Sequence, residues 1–155
     1  MTTREQVKAL LTASCPGYEV TYEASRMINA IATGKQVDAK FIYIEEFSSG
    51  QYKFKPGKPK SVVTRVQIWF CKFKKDADPN SPWRAGAPDV PAEVREKVRE
   101  EIEVQAVIPF IEKFYASPVF TNKPEYIPFA KVLPRFADGE ISVMIELDVQ
   151  LSGLC

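Results

Sequence analysis

Apolar side chains recur every four residues through the stretch 89–117, and charged side chains fill most of the positions between them. The apolar row comprises Val94, Val98, Ile102, Ala106, Phe110 and Phe114. Such a row is typical of an amphipathic helix with one buried face. Asp89 is placed to cap this helix, and Pro91 fits its first turn, where a missing N–H removes no hydrogen bond. Pro109 cannot donate to the Gln105 carbonyl, so the sequence predicts a kink or a break there.

Alternation of apolar and polar side chains marks the strands, because successive side chains of a strand point to opposite faces. Val62–Lys75 is apolar on both faces and is predicted to be a central strand, and the middle of Val37–Phe47 has the same character. Glu140–Leu151 alternates most regularly, so we expect one of its faces in the core and the other in water. Tyr126–Phe136 contains two prolines, which favour an edge strand or a bulged strand.

Shorter elements are predicted at the N-terminus. Two overlapping capping boxes within residues 2–6 start a helix that ends near Ser14. The alternation over 18–22 fits a short strand. Apolar residues within Ala24–Ile31 form a second helical row, and Gly34 is placed to terminate it.

The order of the elements indicates the fold class. Helices and strands follow one another as α, α, β, β, α, β, β, and both strand pairs are expected to be antiparallel neighbours. We therefore predict a single α+β domain spanning 1–155, with a mostly antiparallel sheet and the long amphipathic helix packed on one face. Residues 1–34 form its N-terminal helical segment, and residues 48–60 form a basic arm that we expect to be mobile.

The chain contains no histidine. Its absence removes Ser-His-Asp and Cys-His catalysis, histidine general-base chemistry and most catalytic zinc sites. Glu100, Glu101 and Glu103 form an acidic cluster on the long helix, which we interpret as a solvated surface. An enzyme with this sequence would have to rely on carboxylates, lysine or tyrosine, and we predict no catalytic activity, no cofactor and no bound metal.

Charge, cysteine content and hydropathy narrow the possible partners and location. The formal net charge of +1 implies neither nucleic acid nor membrane as a partner. No apolar run reaches the roughly 18 residues of a transmembrane helix, and the N-terminus lacks the apolar core of a signal peptide. Cys15, Cys71 and Cys155 are too widely spaced to suggest a disulfide framework or a zinc site, so we expect reduced thiols in a cytoplasm.

Charges are segregated along the chain. Residues 48–75 contain eight lysines and arginines but no acidic residue, whereas residues 136–155 contain four acidic residues but no basic one. Prolines and glycines in the arm are expected to prevent regular strand pairing over Gln51–Lys60. The candidate interface residues of these two regions are Tyr52, Lys53, Phe54, Lys55, Lys58, Lys60, Asp138 and Glu140.

Three interpretations of this charge pattern remain open. The two regions could be complementary surfaces, between copies of the chain or toward a charged partner. The lysines could instead solubilise an exposed loop and protect a strand edge. Tyr52 and Phe54, interleaved with lysines, could also stack on single-stranded nucleic acid. That third interpretation is disfavoured, because the arm lacks a phosphate-loop spacing and Val62–Lys75 lacks an RNA-recognition motif.

The chain also resembles a known family in the order of its elements. An N-terminal helix is followed by a strand near Phe41–Ile44, a hairpin into VTRVQIWFCKFKK and a single helix ending in VIPFIEKF. The proline-interrupted YIPFAKVLPRF and the alternating strand DGEISVMIELDVQL come last. In this pattern the chain resembles the tail terminator (tail completion) proteins of long-tailed bacteriophages and prophages. That family has no invariant short motif, so the resemblance transfers no functional residue.

The resemblance implies a structural virion or prophage protein. Members of that family assemble in the bacterial cytoplasm, typically as a hexameric ring on the end of the tail tube. They stop tube growth and present a surface to the head connector, so the location after assembly would be the tail of the virion. The size of the ring for this chain is left open. The alternatives are a head-closure or neck component, and a nucleic-acid-binding module that uses residues 51–60.

Overall fold

The computed structural model describes residues 2–22, 37–45, 49–53, 56, 61–75, 80, 91–132 and 140–150. Its elements in chain order are α1 (Thr3–Ser14), β1 (Glu19–Thr21), β2 (Val37–Ile44), β3 (Ser49–Lys53), β4 (Ser61–Lys75), α2 (Ala92–Ile102), a π-helical segment (Glu103–Val107), α3 (Ile108–Ala116), β5 (Phe129–Val132) and β6 (Glu140–Val149). One mixed sheet and the long helix 92–116 confirm the predicted α+β class. The helix predicted at Ala24–Ile31, its Gly34, the Asp89 cap and the turn predicted at Asp138-Gly139 lie outside the described residues.

The sheet is organised around β4. The strands follow the order β1-β2-β4-β6-β5, and β3 also pairs with β4. On one edge β4 pairs with β2 over 68–75 and with β3 over 61–65, and on the other edge it pairs with β6 over 64–73. All of these pairings and the β5–β6 pairing are antiparallel, whereas β1 runs parallel to β2. The prediction of a central strand at Val62–Lys75 is therefore confirmed.

The first part of the basic arm is a strand. Ser49–Lys53 pairs residue by residue with Ser61–Arg65, so the expectation that prolines prevent regular pairing is wrong for Gln51–Lys53. The pairing ends before Pro56, the first proline of the arm, so no proline interrupts the ladder. Gly50 permits the close approach of the two strands, because a Cβ atom there would lie 2.6 Å from the Val63 carbonyl oxygen.

One face of the sheet and the helices enclose the larger core. The predicted alternation is confirmed: Ile42, Ile44, Val66, Ile68 and Phe70 point toward the helices, as do the odd-numbered residues of β6 from 141 to 149. Helix α1 begins with the predicted capping box, in which Thr2 and Glu5 bond each other's backbone N–H. The long helix contributes four completely buried residues, Ile102, Ala106, Phe110 and Phe114.

The π-helical segment explains how an apolar row with four-residue spacing reaches a single core. At 3.6 residues per turn, the twelve residues from Ile102 to Phe114 would leave their side chains about 120° apart around the helix. A π segment accommodates one extra residue, and the Ile108 N–H accordingly donates to the carbonyl of Glu103, five residues back. The chain stays helical through Pro109, so the irregularity predicted there takes the form of a π segment and not of a break.

The face of the sheet opposite the helices is more buried than the alternation in β6 predicted. Phe41, Trp69, Cys71 and Phe73 form a buried cluster there. Ser142 of β6 is 1% exposed, and its hydroxyl donates to Cys71 Sγ at 3.4 Å. The expectation of a solvated face is wrong at this position, because Ser142 is the register partner of Cys71 and lies beside this buried cluster.

Truncating Phe110 should test whether the long helix anchors the core. Its ring is completely buried and lies 6.2 Å from the Phe70 ring, centroid to centroid, and 6.3 Å from that of Phe114. Phe110→Ala is expected to lower the free energy of unfolding by about 3–5 kcal/mol in urea titrations. Val104→Ala on the same helix, where Val104 is 67% exposed, should change it by less than about 0.5 kcal/mol. Equal effects would contradict the assigned packing.

A deletion should show that the π segment accommodates Pro109. Removing Val104 leaves Ile102 and Phe110 seven residues apart, a spacing that an uninterrupted α-helix keeps on one face. In such a helix the Pro109 ring would clash with the Gln105 carbonyl, at a cost of about 3 kcal/mol. We expect the deletion to lower the melting temperature markedly and Pro109→Ala to restore most of the loss. If Pro109→Ala fails to rescue the deletion, the proline is not what the π segment accommodates.

Candidate interaction surface

The structure separates the two halves of the predicted interface. Tyr52 lies on β3 and is 70% exposed. Lys53 pairs with Ser61 at one end of β4, and Glu140 pairs with Phe73 near the other end. Twelve residues of extended strand span about 40 Å, so these two positions cannot meet within one copy. Five predicted residues lie outside the described part of the chain: Phe54, Lys55, Lys58, Lys60 and Asp138.

Some of the segregated charges pair inside the fold. Arg65 of β4 and Asp148 of β6 are register partners, and the Arg65 Nε and Nη2 atoms donate to the two carboxylate oxygens at 3.0 and 3.4 Å. The hydrogen bonds that Arg65 donates to Asp148 raise the pKa of Arg65. Two residues further along, on the same face of the sheet, Gln67 Nε2 donates to Glu146 Oε1 at 3.0 Å. These contacts depend on strand register, which the charge pattern alone did not reveal.

The Arg65–Asp148 pair forms one side of a concavity of about 230 Å³. Its other lining residues are Gly50, Gln51 and Val63. Both charged side chains remain substantially exposed, so the pair is solvated and each charge is already neutralised by the other. The arrangement offers a polar surface on which the Arg65 guanidinium and the Asp148 carboxylate bond to each other.

A second surface is apolar and was not identified from the sequence. It lies between the long helix and β5, where Phe129 is 64%, Val104 67% and Ile108 47% exposed. A cavity of about 180 Å³ opens there, which we call the β5 groove. The groove is lined by Glu103, Val107, Ile108, Ile111, Ile127, Phe129, Val143 and Ile145. One feature of the sequence could have indicated this surface: Val104 and Ile108 are apolar although they lie outside the predicted helical row.

The connection from α3 to β5 is fixed against the end of the helix. Lys123 Nζ donates to the carbonyl oxygens of Phe114 at 2.6 Å and Ser117 at 2.7 Å, satisfying helix C-terminal acceptors. The Tyr115 hydroxyl donates to the Pro124 carbonyl. Partial burial lowers the pKa of Lys123. These bonds hold the chain that leads into β5 beside the helix and so define one wall of the groove.

Cys15 and Tyr18 are buried and poorly ionised. Burial raises the pKa of Cys15 to about 11, and its thiol donates to the Ala106 carbonyl at 3.4 Å. Burial, followed by the neighbouring Cys15, raises the pKa of Tyr18 to about 12. On the helix surface, Glu101 accepts a 3.0 Å hydrogen bond from Lys72. Among the described residues, no group of three or more potential ligands could hold a metal ion.

None of the helices in the described ranges is long and apolar enough to cross a membrane. No protein-family model matches this chain, and comparison with curated proteins and with solved structures finds no significant match.

Thiol chemistry should reflect the burial of Cys15 and Cys71. With a pKa of about 11 for Cys15, roughly one thiol in a thousand is ionised at pH 8. In a Cys155→Ser variant, both remaining thiols should react with a chromogenic disulfide over hours in buffer and within minutes in denaturant. A thiol that reacts within seconds in the folded protein would contradict this assignment and would identify a reactive cysteine.

Proposed function

We propose that this chain is a structural protein that assembles with copies of itself into a ring, in the manner of the tail terminators that it resembles. In this role the ring caps a phage tail tube, ends its growth and presents a surface to the head connector. Assembly takes place in the bacterial cytoplasm, and the mature location is the tail of the virion. Its partners are other copies of the chain, the tail tube and head-connector proteins.

The observation that carries the proposal is the presence of exposed aromatic side chains on strands at opposite sides of the sheet. Tyr52 on β3 and Phe129 on β5 are both mostly exposed, and each strand has a pairing partner on one side among the described residues. Open strand edges and clustered exposed apolar side chains are features of protein–protein contact sites. A surface that joins one side of a subunit to the opposite side of the next generates rings when the rotation closes.

The separation of Lys53 and Glu140 along β4 supports the same proposal. Lys53 lies beside one end of β4 and Glu140 beside the region near its other end, so these two positions can attract each other only between copies. The buried, poorly ionised Cys15 and Tyr18 give no support to an enzymatic function. A head-closure or neck component would use similar contacts and differs in the partner that it binds.

Self-association and tube binding test this proposal together. Sedimentation at increasing protein concentration should show a discrete oligomer, and negative-stain microscopy should show rings alone and at the ends of added tail tubes. Exposed charges are screened within about 8 Å at physiological ionic strength, so raising the salt concentration should weaken assembly. A chain that remains monomeric at high concentration and leaves tube ends bare would contradict the proposal. Rings that do not bind tail tubes but do bind connector proteins would favour a head-closure or neck component.

An oligonucleotide-binding assay distinguishes the nucleic-acid-binding alternative from self-assembly. Replacing Tyr52 and Phe54 with serine should abolish assembly and leave the melting temperature nearly unchanged, because Tyr52 is mostly exposed. A nucleic-acid-binding module would instead show salt-sensitive binding of single-stranded oligonucleotides that the same double substitution removes.

A further inference from the structure

Exposed apolar side chains are concentrated on the side of the subunit that carries the β5 groove. In the described part of the chain, five of the six large hydrophobic residues that are exposed belong to the long helix, to β5 or to the segment before β5: Val104, Ile108, Tyr115, Tyr126 and Phe129. Scattered single apolar residues are ordinary on a protein surface, whereas a contiguous group of this kind is typical of a contact site.

The exposed area matches the apolar part of a stable interface. Tyr126, Phe129 and Tyr115 are 80%, 64% and 40% exposed. At about 200 Å² for a whole aromatic side chain, and with Val104 and Ile108 included, the surface presents on the order of 500 Å². An interface of standard size covers about 800 Å² on each partner, somewhat more than half of it apolar. A contact that covers this surface would therefore reach the size of a stable dimer.

The long helix has a second apolar row on this side. Val104, Ile108, Ile111 and Tyr115 follow one another at intervals of four, three and four residues, which is the spacing of one helix face. Ile108 and Ile111 line the β5 groove, whereas the first row, from 102 to 114, faces the core. A helix with apolar side chains on two faces is normally buried on both, so the second row indicates a missing partner.

Strand β5 presents backbone hydrogen-bonding groups on its outer edge. The Glu146 N–H donates to the Pro128 carbonyl at 3.0 Å, which makes these two residues a hydrogen-bonded pair of the antiparallel ladder. Bonded and non-bonded pairs alternate along such a ladder, so the N–H and C=O of Ala130 point toward β6, and those of Phe129 and Lys131 point away from it. Among the described residues, β6 is the only strand that pairs with β5.

This edge is complementary to itself. If two copies of β5 pair in an antiparallel manner, Phe129 of each copy can form a hydrogen-bonded pair with Lys131 of the other. In that register every outward N–H and C=O within Phe129–Val132 gains a partner. Ala130 then faces its own copy as a non-bonded pair, in which the Cα atoms are only about 4.5 Å apart. A methyl side chain fits that short separation.

The same symmetry covers the apolar surface. A two-fold axis between antiparallel strands is perpendicular to the sheet, so the helices of both copies would lie on one side of a continuous sheet. Phe129 faces Ile145, which points toward the helices, so both Phe129 rings would lie between the two long helices. The second apolar rows would face each other across the two grooves, and side chains that are exposed in one copy would leave water.

We infer that two copies of this chain pair through the β5 groove, with their β5 strands antiparallel across a two-fold axis at Ala130. The contact goes beyond the proposed function and does not require it, because a two-fold contact closes with two copies. It covers Phe129, one of the two exposed aromatic residues that support the proposed ring. The pair and the ring are therefore alternative states, and a pair dissociates before its subunits enter a ring.

Disulfide formation at the axis tests the register. All variants carry Cys155→Ser, and Cys15 and Cys71 are buried. Ala130→Cys places a thiol opposite its own copy, at a Cα separation that a disulfide can bridge. Oxidised glutathione should therefore convert most of this variant to a covalent dimer. Glu96→Cys, an exposed position on α2, sets the background from random collisions.

Lys131→Cys is the matched control for the register. In the inferred pair the two copies of residue 131 are about 9 Å apart between Cα atoms, too far for a disulfide, so the yield should stay near background. Background yield from Ala130→Cys would overturn the inference. A high yield from Lys131→Cys together with a low yield from Ala130→Cys would overturn it as well, because the axis would then lie elsewhere.

The association constant of the pair provides an independent measurement. Phe129→Ser should lower it about tenfold or more in sedimentation equilibrium, since the two-fold axis makes each substitution count twice. The melting temperature at high dilution should change little, because Phe129 is 64% exposed. Tyr52→Ser removes another exposed aromatic side chain but lies on β3, which pairs with β4, and should leave the pair intact. Equal losses from the two substitutions would contradict the assigned position of the contact.

Salt distinguishes the pair from the proposed ring. The pair depends on apolar side chains and backbone hydrogen bonds, and added salt also screens repulsion between copies of the exposed Glu112 and Glu125. Raising the salt concentration should thus leave the pair unchanged or strengthen it, whereas the ring should weaken. A pair that dissociates in salt would contradict the inference. Rings without the Ala130→Cys disulfide would refute the pair alone, and a salt-resistant pair with bare tube ends would confirm the pair and refute the proposed function.

Discussion

The fold depends on a strand that is apolar on both faces and hydrogen-bonded along both edges. In β4, Ile68 and Phe70 enter the core beneath the helices, while Trp69 and Cys71 enter the cluster on the opposite face. Such a strand is stable only at the centre of a sheet, because an edge or a solvated face would expose either its backbone or its side chains. Its length also lets two separate strands, β2 and β3, share one of its edges. That arrangement turns the start of the basic arm into a strand of the sheet.

The packing of the long helix follows from the same sheet. Its apolar residues recur every four positions, a spacing that drifts around an α-helix, yet the sheet offers one surface on which they can be buried. The π segment resolves this conflict by accommodating an extra residue next to Pro109, where a regular α-helix would have lost a hydrogen bond in any case. Val104 and Ile108, in and just after this segment, remain exposed, and Ile108 lines the β5 groove.

Periodicity predicted the parts of the structure that depend on burial. The central strand, the antiparallel pairs, the first capping box and the edge strand that follows Pro128 were all accessible from the sequence, because local spacing and local chemistry determine them. The strand at Ser49–Lys53 was not, since its pairing depends on Gly50 approaching Val63 and its sequence looks like a loop. The solvated face expected for β6 failed at Ser142, because burial there depends on which strands become its neighbours. The β5 groove could not be predicted, because it joins residues of the helix, β5 and β6 that only the fold brings together.

The register of the sheet also determines what the segregated charges can do. Where β4 and β6 overlap, opposite charges meet as cross-strand partners, and Arg65 with Asp148 neutralise each other within the copy. Beyond that overlap β4 continues toward Ser61. Ser61 pairs with Lys53 of β3 on one edge and has no register partner on β6 at the other edge. Positive charge at this end therefore has no acidic partner on β6 across the ladder, and the acidic positions Glu103 and Glu112 belong to the helix near the opposite edge of the sheet. The antiparallel pairing therefore neutralises charge in the middle of the sheet and leaves the positions of Lys53 and Glu140 too far apart to meet within one copy.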